Sequence, residues 1–331
     1  MQTAFLYKPG HENLVRSEIP IPKAGRGEVV LEIKAAGMCH SDLHVLDGGI
    51  PLPGQFVMGH EIVGTIHEIG QDVTGFKQGD LYAVHGPNPC GICTLCREGF
   101  DNDCTTVAKT GQWFGLGLDG GYQKYIRIPN VRSIVKVPEG VSAEAAASCT
   151  DAVLTPYRAL KQAGASNSTR VLILGLGGLG LNALKLAKTF GSYVYASDLK
   201  PSAREAAKAA GADEVLESLP EDPLGVDIVL DVVGVQSTFN LAQKHVGPRG
   251  IIVPVGLASP QLSFNLTDLA LREIRVQGTF WGTSNELAEC LRLCQLGLIN
   301  PKYTVVPLEE APKYMEAMAH GKVEGRIVFH P

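Results

Sequence analysis

Residues 170–191 read RVLILGLGGLGLNALKLAKTFG: an apolar run, a glycine-rich turn and a helical pattern, in that order. The run leads straight into Gly175, Gly177, Gly178, Leu179 and Gly180. Behind that turn, Leu179, Ala183, Leu186, Ala187 and Phe190 recur at the spacing of one helix face. In a G-x-G-x-x-G turn, the first glycine permits the tight turn and the second lets backbone approach a pyrophosphate. The third packs helix against strand. The pattern alone is weak, but its place after a strand and at the opening of a helix is the context that gives it meaning. The five turn residues are therefore candidate cofactor-binding residues.

Reading on from this turn, SYVYASD (192–198) is a second strand and PSAREAAKAAG (201–211) a helix. VDIVLDVVG (226–234), IIVPVGL (251–257) and IRVQGTF (274–280) read as further strands. Alternation of this kind builds a doubly wound parallel sheet, the Rossmann arrangement. Asp198 stands about 20 residues beyond the turn, where a carboxylate accepts hydrogen bonds from an adenosine ribose and repels a 2′-phosphate. NAD is expected over NADP. Two nearby cations, Lys200 and Arg204, pull the other way, and a loop or helix-capping carboxylate is the plain alternative for Asp198.

Before this region the texture differs. TAFLYK, EVVLEIKAAG, EIVGTIHEIG, DLYAVHG and GYQKYIRI are short strands cut by Gly, Pro and Asp, which suggests a partly open β-barrel. The 38 Gly and 20 Pro among 331 residues fit so many turns. Helical character begins near residue 150 with AEAAASCTDAVLTPYRALKQAG (143–164). The tail, 303–331, reads strand, helix, strand, and could return to complete the first domain.

Eight cysteines fall at 39, 90, 93, 96, 104, 149, 290 and 294. Four of them crowd into CGICTLCREGFDNDC (90–104). Thiolates from Cys90, Cys93, Cys96 and Cys104 can close a tetrahedral zinc site with no open position, whose role is structural. A zinc ribbon for nucleic acid would need basic residues, and this lobe sets Glu98, Asp101 and Asp103 beside the single Arg97. Cys290 and Cys294, four apart on a helix with apolar neighbours, read as core. Between 37 and 61, GMCHSDLH and MGHE supply Cys39 and His60, ligand types that suit a catalytic zinc. Such a site needs a third ligand from elsewhere in the chain. The plain alternative for the pair is a buried cysteine and a hydrogen-bonded core histidine.

The formal net charge of −5, with no basic run, argues against a nucleic-acid or anionic-membrane partner. No apolar run reaches the roughly 20 residues needed to span a bilayer. The N-terminus, MQTAFLYKPGHENL, is neither a secretory signal nor an Arg-rich transit peptide, so a cytoplasmic location is expected.

The order GMCHSDLH, MGHE, CGICTLCREGFDNDC, GLGGLG and EGRIVF resembles the zinc-dependent alcohol dehydrogenases of the medium-chain dehydrogenase/reductase family, over essentially the whole chain. QWFGLGLDGGYQ and FNLTDLALREIRVQGTFWGT resemble its yeast carbonyl reductase and secondary alcohol dehydrogenase branch. The resemblance implies a GroES-like partly open barrel, 1–152 completed by 285–331, around a Rossmann domain, 153–284, with the active site in the cleft between them. It implies one catalytic and one structural zinc, NAD(H), and a homodimer or homotetramer with IRVQGTF extending the sheet across a two-fold axis. By position relative to Thr155-Pro156-Tyr157, the third catalytic ligand falls at Asp151; Cys149, two residues earlier, is the softer rival. Glu61 would stand behind the metal or become an alternative ligand. His40 and Arg326 match pyrophosphate-contacting positions, Val255 the backbone position at the nicotinamide carboxamide, and Trp113 a substrate-pocket wall.

The expected reaction is reversible hydride transfer between NAD(H) and a secondary alcohol or ketone, with Ser41 and His44 relaying the alcohol proton outward. A turn hydroxyl and a surface imidazole are the plain alternatives for these two. Other readings are a zinc polyol dehydrogenase of the sorbitol type and a non-catalytic protein that keeps zinc and NAD. A zinc-free quinone reductase of the same fold conflicts with both zinc clusters.

Overall fold

The structure, a computed structural model, describes residues 1–323 and 325–331. Glu324, which opens the EGRIVF segment, lies outside the described residues. The chain forms two compact units, Met1–Asp151 with Trp281–Pro331, and Ala152–Phe280. The resemblance implies boundaries at 152/153 and 284/285; in the structure the chain re-enters the first unit at Trp281. There the indole Nε1–H donates to the Thr150 carbonyl at 2.9 Å. The indole packs so closely on Gly86 that a Cβ at 86 would overlap it.

The first unit is built on one mostly antiparallel sheet. Its strands run in the order Ile134–Lys136, Leu81–Val84, Glu61–Ile69, Val29–Gly37, Arg326–His330 and Tyr303–Pro307. Val29–Gly37 is its axis. It pairs along its length with Glu61–Ile69, while its other edge is shared by Tyr125–Ile128 near one end and Arg326–His330 near the other. Val29, Val30 and Leu31 are all fully buried, so both faces of this strand are covered. The path of paired strands keeps two ends, which makes the barrel an open one. A smaller sheet joins Gln2–Tyr7 to Val15–Ile19 and Phe56–Val57. The tail does return to this unit, as Arg326–His330 pairs with Val29–Gly37.

The second unit is a six-stranded, all-parallel sheet. From edge to edge it runs Glu214–Leu216, Tyr193–Ser197, Arg170–Leu174, Val226–Asp231, Val246–Pro254, Arg275–Val276. Numbered by chain position that order is 3-2-1-4-5-6, the Rossmann order, and it reverses at Arg170–Leu174. Helices Gly178–Thr189, Pro201–Ala209, Gln236–His245 and Leu266–Leu271 lie on four of the five crossovers. Of the helix face expected behind the turn, Ala183, Leu186 and Ala187 are fully buried, with Leu179 and Phe190 half-buried. IRVQGTF departs from expectation: only Arg275–Val276 pairs, at the sheet edge where both residues are exposed. With a neighbour on one side only and Gly278 following, the segment lacks the burial that would extend it. No helix among the described residues is long and apolar enough to cross a membrane.

Candidate active site

The first cluster forms where Val29–Gly37 and Glu61–Ile69 meet the helix His40–Leu46. Cys39 caps that helix, and its backbone N–H donates to Asp42 Oδ2 at 3.0 Å. His60 enters just before the strand that begins at Glu61. Asp151 arrives on a π-helical turn, Cys149–Val153, between two α-helices. The ligand atoms of Cys39, His60, Glu61 and Asp151 lie within 4.8 Å of one another. Cys39 Sγ is 3.3 Å from Asp151 Oδ2, and His60 Nε2 is 3.7 Å from the same oxygen. Sulfur, imidazole nitrogen and carboxylate oxygen converging at this range fit a zinc ion. Cys149 turns away from the cluster, its Sγ lying 3.3 Å from Cys294 Sγ.

Behind these groups sits a residue that sequence reasoning missed. Asp42 is fully buried; besides the Cys39 amide it accepts the Tyr122 hydroxyl at 2.8 Å, and its Oδ1 lies 3.2 Å from His60 Nδ1. A carboxylate on Nδ1 fixes the ring and leaves Nε2 for a metal. Burial opposes a charged His60, yet Asp42, Asp151 and Cys39 together outweigh it and the imidazole pKa is raised well above its ordinary value. Burial, then Asp42, push the Tyr122 phenol well above its usual value, so it remains a donor. The signal in sequence was slight: an Asp three residues after Cys39, at a helix-capping distance. Trp281, also missed, sets its ring edge-on to His60 at 5.6 Å. It is buried with a φ of +50°, unusual for so bulky a residue.

Glu61 is fully buried and pairs with the Arg326 guanidinium, which also comes within 3.5 Å of Asp151 Oδ2. The structure thus brings Arg326 to the ligand cluster. Ser41 Oγ is 3.7 Å from Cys39 Sγ, and His44 follows one turn along the same helix, its side chain partly exposed beside Asp47. His40 opens that helix at the surface. Trp113 lies half-buried on a two-residue strand, Trp113–Phe114; the aromatic ring set against His60 is Trp281.

Cys90, Cys93, Cys96 and Cys104 form the second cluster, with their sulfurs within 4.8 Å of one another. The Thr106 hydroxyl, then backbone amides, lower the Cys90 thiol to about 7. The Cys96 amide, with that of Thr105, lowers Cys93 to about 6. Burial raises Cys96 instead. Four sulfurs with two thiols already inclined to ionise suit a closed four-cysteine zinc site.

In the second unit the glycine turn has the shape a pyrophosphate needs. Gly175 has a φ of +91° under Val232 and Val233, and a Cβ at Gly180 would overlap the Gly175 carbonyl. Over Gly177 nothing lies within 4 Å of a Cβ position, so the backbone there is open to a ligand at the N-terminus of Gly178–Thr189. Asp198 Oδ2 accepts the Leu176 N–H at 2.7 Å and so braces the turn. Val255, at the end of its strand, donates its N–H to the Asp231 carbonyl at 2.7 Å.

Two family models match the chain. Residues 25–139 match the alcohol dehydrogenase GroES-like domain, and residues 178–295 match the zinc-binding dehydrogenase model. An NAD-dependent alcohol dehydrogenase of Saccharolobus solfataricus is 33% identical, with 95% of each chain covered. An alcohol dehydrogenase of Geobacillus stearothermophilus is 34% identical over 94% of each. The solved structure of acetophenone reductase from Geotrichum candidum, in complex with NAD, is 44% identical at a TM-score of 0.95. It covers 100% of this chain and 97% of that one.

Proposed function

The chain belongs to the zinc-dependent alcohol dehydrogenases of the medium-chain dehydrogenase/reductase family, and from that we propose that it is an NAD-dependent carbonyl reductase, transferring hydride reversibly between NAD(H) and secondary alcohols or ketones. The observation that carries this reading is the convergence of Cys39, His60 and Asp151 beside buried Glu61. Cys39, His60 and Asp151 would hold a zinc ion, which when bound would supply Lewis acidity at the reacting oxygen. Asp42 holds His60 by its Nδ1. Glu61 keeps Arg326 at the cluster and stands as an alternative ligand.

Ser41 and His44 carry the alcohol proton outward. Ser41 Oγ, close to the Cys39 sulfur, takes the inner position, and His44, one turn on and partly exposed, the outer. The second unit binds the dinucleotide: the glycine turn takes the pyrophosphate and Asp198 the adenosine ribose. His40 and Arg326 assist at the pyrophosphate, and Val255 meets the nicotinamide carboxamide through its backbone. Binding energy from these contacts positions the hydride donor. The four-cysteine lobe holds a structural zinc. Trp113 walls the substrate pocket, and the likeness to an acetophenone reductase supports aryl ketones as substrates.

The catalytic domain corresponds to the unit Met1–Asp151 with Trp281–Pro331 and the nucleotide-binding domain to Ala152–Phe280, near the boundaries 1–152 with 285–331 and 153–284 that the resemblance implies. The protein is cytoplasmic and assembles as a homodimer or homotetramer through the exposed edge strand Arg275–Val276; light scattering on the purified protein tests this. Initial rates with NADH against aryl and alkyl ketones, and with NAD and sorbitol, test the reaction. Ketone reduction supports the proposal. Sorbitol oxidation without ketone reduction would move the chain to the polyol dehydrogenases.

A further inference from the structure

Two cations near Asp198 pull against the NAD preference that the sequence implies, and the structure treats them differently. Lys200 is exposed and gives Asp198 only its backbone N–H, at 2.8 Å to Oδ1. Arg204 is committed. Its Nη1 donates to the Asp198 carbonyl at 2.9 Å and to the Leu199 carbonyl at 2.8 Å, which holds the guanidinium at the end of Tyr193–Ser197. Its Nη2 donates to Glu217 Oε2 at 2.9 Å. The Arg204 side chain is 15% exposed and that of Glu217 71%, so the pair joins a mostly buried guanidinium to a solvent-facing carboxylate.

Glu217 follows Glu214–Leu216, the strand beside Tyr193–Ser197, and an Asp198 N–H to Leu216 carbonyl bond at 3.4 Å ties the two strand ends together. An arginine at the end of the second strand is the residue type that accommodates a 2′-phosphate. It does so through free N–H donors and an uncompensated charge. Here the two backbone carbonyls fix its place and Glu217 takes both the Nη2 edge and the charge.

We propose that Glu217 is a positioning residue for cofactor discrimination: by engaging Arg204 it withholds the guanidinium from the 2′-phosphate of NADP, reinforcing the repulsion from Asp198. The proposal rests on the nucleotide-binding reading above. Discrimination against the 2′-phosphate is then shared by Asp198, which repels it, and Glu217, which occupies the cation that would receive it. Removing Asp198 alone leaves Arg204 engaged.

The test is calorimetric binding of ADP-ribose and 2′-phospho-ADP-ribose to the full-length wild type, Glu217→Gln, Asp198→Ser and the double variant. Kinetics with NADH and NADPH run beside it. The wild type binds ADP-ribose the tighter. Glu217→Gln narrows the ratio of the two affinities, and in the Asp198→Ser background it adds about tenfold in favour of the phosphorylated ligand, the scale of one charge-assisted contact. Adding Arg204→Gln to the double variant abolishes that gain. An unchanged ratio on Glu217→Gln in both backgrounds overturns the proposal, as does a gain that survives Arg204→Gln, which would assign it to Lys200. A wild type that binds neither ligand overturns the nucleotide-binding reading and this inference together.

Discussion

Gly37 faces Glu61 directly across the ladder between Val29–Gly37 and Glu61–Ile69, and a Cβ at 37 would overlap the Glu61 carboxylate. The buried acid therefore has its place because its cross-strand neighbour has no side chain. Gly37→Ala should push Glu61 out of its pairing with Arg326 and disturb the ligand group it shares with Cys39, His60 and Asp151. Overpacking at such a site costs about 1–3 kcal/mol. A lowered midpoint in denaturant titration, with a larger loss of ketone reduction, is expected. Wild-type turnover in Gly37→Ala would mean that the position of Glu61 is immaterial.

Asp42 holds three donors or rings at once: the Cys39 amide, the Tyr122 hydroxyl and His60 Nδ1. Asp42→Ala strands all three and frees the imidazole to rotate. The catalytic zinc should bind about 10–100-fold more weakly, as for other lost partners of ligand histidines. Competition with a chelator of known affinity measures this, and the four-cysteine site serves as the internal control. Equal loss from both sites would point to general unfolding instead.

How much of this could be read beforehand depended on whether the chemistry was local. The glycine turn and the 90–104 cysteines carry their geometry in their spacing, and both fold as that spacing implies. Asp42, Tyr122 and Trp281 matter through contacts with residues 18, 80 and 131 positions away. No periodicity marks such pairings. Cys149 and Asp151 sit two apart, and only the π-helical turn sends one toward Cys294 and the other toward Cys39. IRVQGTF had the composition of a strand but not the second neighbour.

Stability should depend on pH through His85. It is fully buried, its Nε2 contacts the Gly282 carbonyl at 2.7 Å, and its Nδ1 has no hydrogen-bond partner among the described residues. Burial lowers its pKa below the ordinary imidazole value, against the pull of nearby Asp101. The unfolded chain thus takes up this proton first, so the contribution is complete above about pH 6.5 and is lost as pH falls below it. Between about pH 7 and 5, Tm should fall less steeply in His85→Gln than in the wild type. Parallel slopes in the two proteins would show that His85 titrates alike folded and unfolded.

Ser41→Ala tests the proton path. The hydroxyl lies 3.7 Å from the Cys39 sulfur, and removing a general acid–base relay costs about 10²–10⁴-fold in rate. The expectation is a fall in turnover with zinc content intact. Turnover equal to wild type removes Ser41 from the path.

Whether Asp151 completes the metal site that drives ketone reduction is decided by zinc content and NADH-dependent ketone reduction measured on the same samples of wild type, Asp151→Ala and Cys149→Ala. Two zincs per chain, one for each cluster, are expected in the wild type and in Cys149→Ala. In Asp151→Ala one zinc is expected, with a rate at least about 100-fold lower, the loss of several kcal/mol of Lewis-acid stabilisation. Two zincs and a wild-type rate in Asp151→Ala, with the catalytic metal lost from Cys149→Ala, would remove Asp151 from the metal site and put Cys149 in its place.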